Sequence, residues 1–305
     1  MNIRKILFAI STVAVVSCGG SKDEPVKPTP EPAEVKIPAW IELPATSATD
    51  GYDFFTHSAQ YEGKTVRSWS FYWDYTNFVA QWVAYPQTRN YQKGDAGRTE
   101  AWGLDPLLAR NQQPVIIKGF QAGSDTWKSR GHQIASADRQ YSNQMNAQTY
   151  YGTNMTPQIN DNFNGGVWAE LEKGVRAWAT GCDTAYVVTG CVTKGASTYV
   201  LDNDGKHITV PTGYYKAVVC YSKDETFGIN GYMGAAFYFE HKEYPKYSIK
   251  VHAMSIDDLE EQLGIDFFVN LPAAAGGACA AQVEAQDPTT VDWWWTSNNV
   301  TWVKQ

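Results

Sequence analysis

His132, Asn154, Asn164, Glu172 and Arg176 are the residues on which chemistry could be built. His132 follows Gly131, a residue that lets backbone or ligand approach closely. A neutral imidazole near pH 7 can take a proton from water. Asn154 and Asn164 offer uncharged oxygens suited to a hard cation such as Mg2+. Asn164, Trp168, Glu172 and Arg176 are each four residues apart, so on a helix they share one face with slow drift. That face would present a metal ligand, an acid to orient water around the ion, and a cation for phosphate. The set suits metal-assisted phosphodiester hydrolysis. Each member also has an ordinary use. A lone His in a strand is commonly structural, Glu172 and Arg176 can form a surface pair, and Asn-rich loops are commonly turns.

These side chains need a scaffold of strands and at least one helix. Strand-like runs cover residues 68–72, 78–84, 114–120, 184–189, 214–221, 235–240 and 247–251. Helical patterns cover 166–179 and 255–263, the second opened by Ser255 with Asp257 and Asp258 behind it. Gly165-Gly166 and the Asn-rich loop before them punctuate the middle of the chain. There is no internal repeat, and residues 37–305 read as one domain of mixed strands and helices.

The stretch 129–176 resembles the DNA/RNA non-specific endonuclease family, the sugar-non-specific ββα-metal nucleases. Arg130-Gly131-His132 matches the family's Asp-Arg-Gly-His, and residues 135–139 match the block that follows. Thr153-Asn154-Met155-Thr156-Pro157-Gln158 matches its second block. Asn164, Trp168, Leu171, Glu172 and Arg176 match its third. Weaker similarity extends the match to roughly residues 50–275. The resemblance implies an α+β, ββα-metal (His-Me finger) fold, with a mixed, largely antiparallel sheet core and flanking helices. It implies a Mg2+-dependent endonuclease (Mn2+ being a possible substitute) that cuts DNA and RNA and leaves 5′-phosphates. It makes His132 the general base and Asn164 the metal ligand. Glu172 becomes the carboxylate that orients water around the metal. Asn154 supports the site by hydrogen bonding, and Arg176 stabilises transition-state charge. Arg130 belongs to the first block. Arg98 fits an expected Arg-x-x-x-aromatic-x-x-Asp pattern with Trp102 and Asp105, although some members place that Arg where Glu100 stands. There are two departures. Ser129 replaces the Asp before Arg-Gly-His, and the loop before Asn164 is one residue longer than in the best-known members.

The N-terminus carries a targeting signal. Arg4 and Lys5 precede an apolar run from residue 6 to 16, too short to span a bilayer. The run ends at Ser17-Cys18, which resembles a lipoprotein box. Residues 1–17 are then a signal peptide, and 18–36 a Pro-rich tether with an acidic export-like start. The expected location is the cell envelope, at the outer membrane, through a lipid anchor on Cys18. The other reading is a plain signal peptide with a spare Cys. No protein partner is expected. In an exported chain Cys182, Cys191, Cys220 and Cys279 could form two disulfides, and the absence of any C-x-x-C pair argues against structural zinc.

Two other classes compete. A surface glycan-binding lipoprotein would use exposed aromatics such as Trp293, Trp294, Trp295 and Trp302, which otherwise read as a strand packed on the core. An inactive family member that only binds nucleic acid draws support from Ser129. Nucleotide-loop, H-E-x-x-H and G-x-S-x-G motifs do not occur. The 305 residues carry a net charge of -7, which on its face disfavours a phosphate-rich partner. The acidity is local, however. Residues 251–305 hold 8 Asp/Glu against Lys304 alone, whereas residues 93–176 hold 9 Lys/Arg against 8 Asp/Glu.

Overall fold

The computed structural model describes residues 39–47, 49–244 and 249–296. The expected signal sequence, Cys18 and the expected tether lie outside the described residues, as does Trp302. The core is a seven-stranded, wholly antiparallel sheet in the order β1-β2-β3-β6-β9-β10-β11. Its strands are β1 (Asp53–Tyr61), β2 (Lys64–Asp74), β3 (Val79–Gln87), β6 (Thr184–Val192), β9 (Gly213–Tyr221), β10 (Tyr232–Glu240) and β11 (Ala253–Met254). Two short antiparallel strand pairs lie apart from it, β4 (Ser129–His132) with β5 (Met155–Gln158), and β7 (Tyr199–Leu201) with β8 (His207–Thr209). The helices are α1 (Asn143–Gln148), α2 (Ala169–Gly181), α3 (Ile256–Leu263), α4 (Leu271–Ala275) and α5 (Gly277–Glu284).

The sequence of β9, Gly-Tyr-Tyr-Lys-Ala-Val-Val-Cys-Tyr, has no polar/apolar alternation because both of its faces are covered. Alternate side chains point to opposite faces of the sheet. Val218 and Cys220, with Val187 of β6 and Phe237 of β10, join one apolar cluster with Leu171, Val175 and Trp178 of α2. On the other face Tyr215 meets the Phe267 ring at 5.5 Å, and Gly234 of β10 lies so close to Val283 of α5 that a Cβ there would clash. The sheet is thus the middle layer, with α2 on one side and α3–α5 on the other. Leu171, Val175 and Trp178 recur every three or four residues along α2, and that stripe is what the helix buries. The Trp178 indole also donates to the Trp294 carbonyl (2.9 Å).

Four of the expected strands fall inside β2, β6, β9 and β10, the one expected at 78–84 starts one residue before β3, and α3 opens with the Ser255 hydroxyl accepting from the Asp258 amide (3.0 Å). Others are corrected. Residues 114–120 form a turn, because their backbone groups find side-chain partners in place of a neighbouring strand. The Val115 amide donates to Asp202 and the Lys118 amide to Asn203, while Arg130 takes the carbonyls of Ile116 and Ile117. Of 247–251, the described part belongs to the short 3-10 turn Ile249–His252. The four cysteines are free: Cys191 and Cys279 direct their thiols at the carbonyls of Ala80 and Ile229. Trp293 and Trp294 end a 3-10 turn in place of a strand, with Trp294 and Trp295 buried. The glycan alternative therefore loses those two rings.

Candidate active site

β4 and β5 pair antiparallel from Ser129↔Gln158 to His132↔Met155. The tight pairing depends on Gly131, where a Cβ would run into the Gln158 side chain. After β5 the chain passes through a widened, π-type stretch (Asn160–Trp168) with a break at Gly166 (φ -119°, ψ -115°), and only then enters α2. Asn164 is therefore not on the regular helix that the four-residue spacing suggests. The break leaves Asn164, Glu172 and Arg176 around one cavity of about 490 Å³ with His132, Arg98, Arg130, Ser129, Trp102 and Trp127. Trp168 departs from that face. It is buried in the core, and its indole donates to the His132 carbonyl (3.2 Å).

His132 is boxed by aromatic rings, with Tyr150 edge-on at 5.2 Å and Trp102 at 5.9 Å. Burial, then the nearby Arg98 and Arg130, push its pKa down to about 3, so the ring is neutral at pH 7. Its Nε2 is buried with no hydrogen-bond partner among the described residues. Asn154 does not line the cavity. Its amide clamps the loops beneath it, accepting from the Ile134 amide (2.9 Å) and donating to the carbonyls of Ile134 (3.0 Å) and Thr149 (2.7 Å). It is a support for the segment after His132 and touches no reacting group. Arg130 stacks on Trp102 at 3.4 Å, and Arg98 is exposed beside Glu100 (3.7 Å) at the rim.

Ser129 has a definite use. Its hydroxyl donates to the Gln158 carbonyl (3.0 Å) and accepts from the Asn164 side-chain amide (3.0 Å). Asn164 thus spends its nitrogen on Ser129 and keeps its carbonyl oxygen, the atom a hard cation takes. Burial raises the Glu172 carboxyl to about 7, against the pull of Arg176 and Lys216. Arg176 gives its hydrogen bond to Asp138 (3.0 Å), whose other oxygen takes the Tyr85 hydroxyl (2.9 Å). Lys216 is fully buried and interacts electrostatically with Glu172. It donates to the Gln133 carbonyl and Thr189, and burial lowers its pKa to about 8 although Glu172 works against the shift. Asp138, Lys216 and Trp127 carry no site role in the sequence reading. Asp138 stands in the matched block and could have been found there, whereas nothing in the local pattern marks Trp127.

The donors fit a mostly hydrated hard cation: one neutral amide oxygen with one carboxylate close by. Among the described residues there is no group of three or more His, Cys, Asp or Glu that could hold a metal.

A strand pair presenting His132 and a following helix presenting Glu172, joined by a turn that carries Asn164, define a ββα-metal nuclease fold. A solved chain in the EndoG/EndoGI complex shares that fold with a TM-score of 0.55 and 21% identity, covering 71% of this chain and 87% of the other. The profile of the DNA/RNA non-specific endonucleases matches residues 53–274, and the chain belongs to that family. Relatives include a mitochondrial nuclease of Saccharomyces cerevisiae, 27% identical over 60% of this chain and 57% of its own length. Endonuclease G of Caenorhabditis elegans is 25% identical over 72% and 71%. A nuclease of Nostoc is 30% identical over 63% and 68%. The match to the yeast protein spans little more than half of that protein's length.

Proposed function

We propose that the protein is an endonuclease that hydrolyses phosphodiester bonds in DNA and RNA with Mg2+, or Mn2+ in its place, leaving 5′-phosphates. The observation that carries this reading is the convergence of neutral His132, the freed Asn164 oxygen, Glu172 and three arginines on one cavity. His132 accepts a proton from the attacking water as the water oxygen bonds to phosphorus. Arg176, held by Asp138, and Arg98 and Arg130 at the mouth face the charge that grows on the phosphoryl oxygens. The leaving 3′-oxygen departs with a proton from solvent. Asn164 would hold a divalent cation and Glu172 would orient the water around it, and the cation would supply positive charge to the phosphate and the leaving oxygen. Contacts would go to the backbone and not to base edges, as cutting without sequence preference requires.

Plasmid degradation tests the reading. Wild type should nick with Mg2+ and stop with EDTA, and His132→Ala should fold normally and lose nicking by a factor of at least about 100. A wild type inert with both Mg2+ and Mn2+ overturns the function. Full activity in His132→Ala overturns the role of the base.

A further inference from the structure

Among the described residues the exposed large apolar side chains are Leu107, Ile117, Trp127, Val251 and Val269, and Trp127 is the one aromatic. It is 57% exposed, yet it lines the same cavity as His132 and Arg176. The other indole at the cavity, Trp102, already has its face covered by Arg130 at 3.4 Å. No ring or cation stacks on Trp127 among the described residues.

The indole is presented from a braced turn. The Asp125 amide donates to the Tyr199 carbonyl (3.0 Å), and the Gly123 amide donates to the Asp125 carbonyl (3.0 Å). The Asp125 side chain collects the Thr126 amide (2.6 Å), Lys128 Nζ (2.8 Å) and the Thr198 hydroxyl (3.1 Å). One residue beyond Lys128 the chain enters β4. A large exposed ring on a pinned backbone loses little freedom when a ligand covers it.

We propose that Trp127 is a stacking platform for an unpaired nucleobase beside the scissile phosphate, so that the cavity takes single-stranded DNA or RNA in preference to duplex. Every base has a π-face, so stacking binds without reading sequence. Inside a duplex that face is covered by neighbouring bases, and a side chain reaches it only where the strand is unpaired. Arg98, Arg130 and Arg176 at the same cavity attract the phosphate, and the indole adds the term that separates single strands from duplex. Trp127 is thus a specificity residue. The inference rests on the nuclease reading above.

The test compares wild type, Trp127→Ala and Trp127→Phe on a single-stranded oligonucleotide and on its duplex, with Mg2+. The ratio of kcat/KM for single strand over duplex should fall roughly tenfold in Trp127→Ala and recover in Trp127→Phe. In parallel, a single strand carrying 2-aminopurine is titrated into each protein with EDTA present. Its fluorescence should be quenched by wild type and Trp127→Phe and not by Trp127→Ala. An equal loss on both substrates, or an unchanged ratio, overturns the platform. A wild type that cuts neither substrate but quenches 2-aminopurine through Trp127 would sink the nuclease reading and uphold the platform. Quenching that persists in Trp127→Ala sinks the platform alone.

Discussion

His132 combines two demands that pull apart. Its burial among Tyr150 and Trp102, under the field of Arg98 and Arg130, keeps it neutral and ready to accept a proton. The same surroundings make it a weak base in the free protein, with a pKa of about 3. A phosphate bound between the arginines would offset their part of the shift and leave the larger part, which comes from burial. In the free protein the ring-nitrogen NMR shifts of His132 should therefore stay flat from pH 8 to pH 5. A non-hydrolysable single strand should raise the midpoint by the arginines' share of the shift. A midpoint near 6.5 in the free protein would show a solvated ring. Because the folded value lies below the ordinary 6.5, the unfolded chain takes the proton first, and His132 subtracts stability as pH falls from 6.5 towards 3. Wild type should accordingly lose more melting temperature between pH 7 and pH 5 than His132→Asn does.

The site is held together by single side chains that bridge elements. Ser129 ties β4 to β5 through Gln158 and ties both to the turn before α2 through Asn164. The family's Asp is replaced by a hydroxyl that does the aligning with no charge of its own. Removing it in Ser129→Ala frees the Asn164 amide to rotate and present nitrogen instead of oxygen to the cation. The Mg2+ concentration for half-maximal nicking should rise about tenfold, the usual scale for losing a group that orients a ligand. An unchanged Mg2+ titration would show that Asn164 is fixed by other contacts or does not bind the ion. Asp138 does the same service for α2: it receives Arg176 and the Tyr85 hydroxyl of β3 on its two oxygens, so the helix is registered against the sheet by a charge that also aims the arginine.

At the scale of the molecule, the net charge of -7 does not describe the surface that substrate meets. The acidic residues of 251–305 belong to α3, α5 and the segments after them, and α3 and α5 cover the sheet face opposite α2. Phosphate would meet Arg98, Arg130 and Arg176. Three cations released from a single strand imply a slope of roughly -2 for log(kcat/KM) against log salt. A slope near zero would show that these arginines do not contact phosphate. A much steeper one would point to a wider basic footprint than the cavity offers.

Local pattern was enough to place β2, β3, β6, β9, β10 and α3, because runs of buried residues and a Ser255 cap are properties of neighbours in sequence. The spacing of His132, Asn164, Glu172 and Arg176 was legible for the same reason, and the family resemblance rested on it. The strand expected at 114–120 was not available locally, since its backbone bonds go to Asp202, Asn203 and Arg130 from distant segments. Tertiary packing alone decided that Trp168 leaves the site for the core, that Asn154 clamps from below, and that the Ser129 hydroxyl meets both Gln158 and Asn164. It also decided that one of 12 tryptophans, Trp127, stands exposed at the mouth while Trp69, Trp73, Trp82, Trp178 and Trp294 are fully buried. An indole has the same composition in either place, and only the three-dimensional neighbours determine whether its face is covered by protein or left for a ligand.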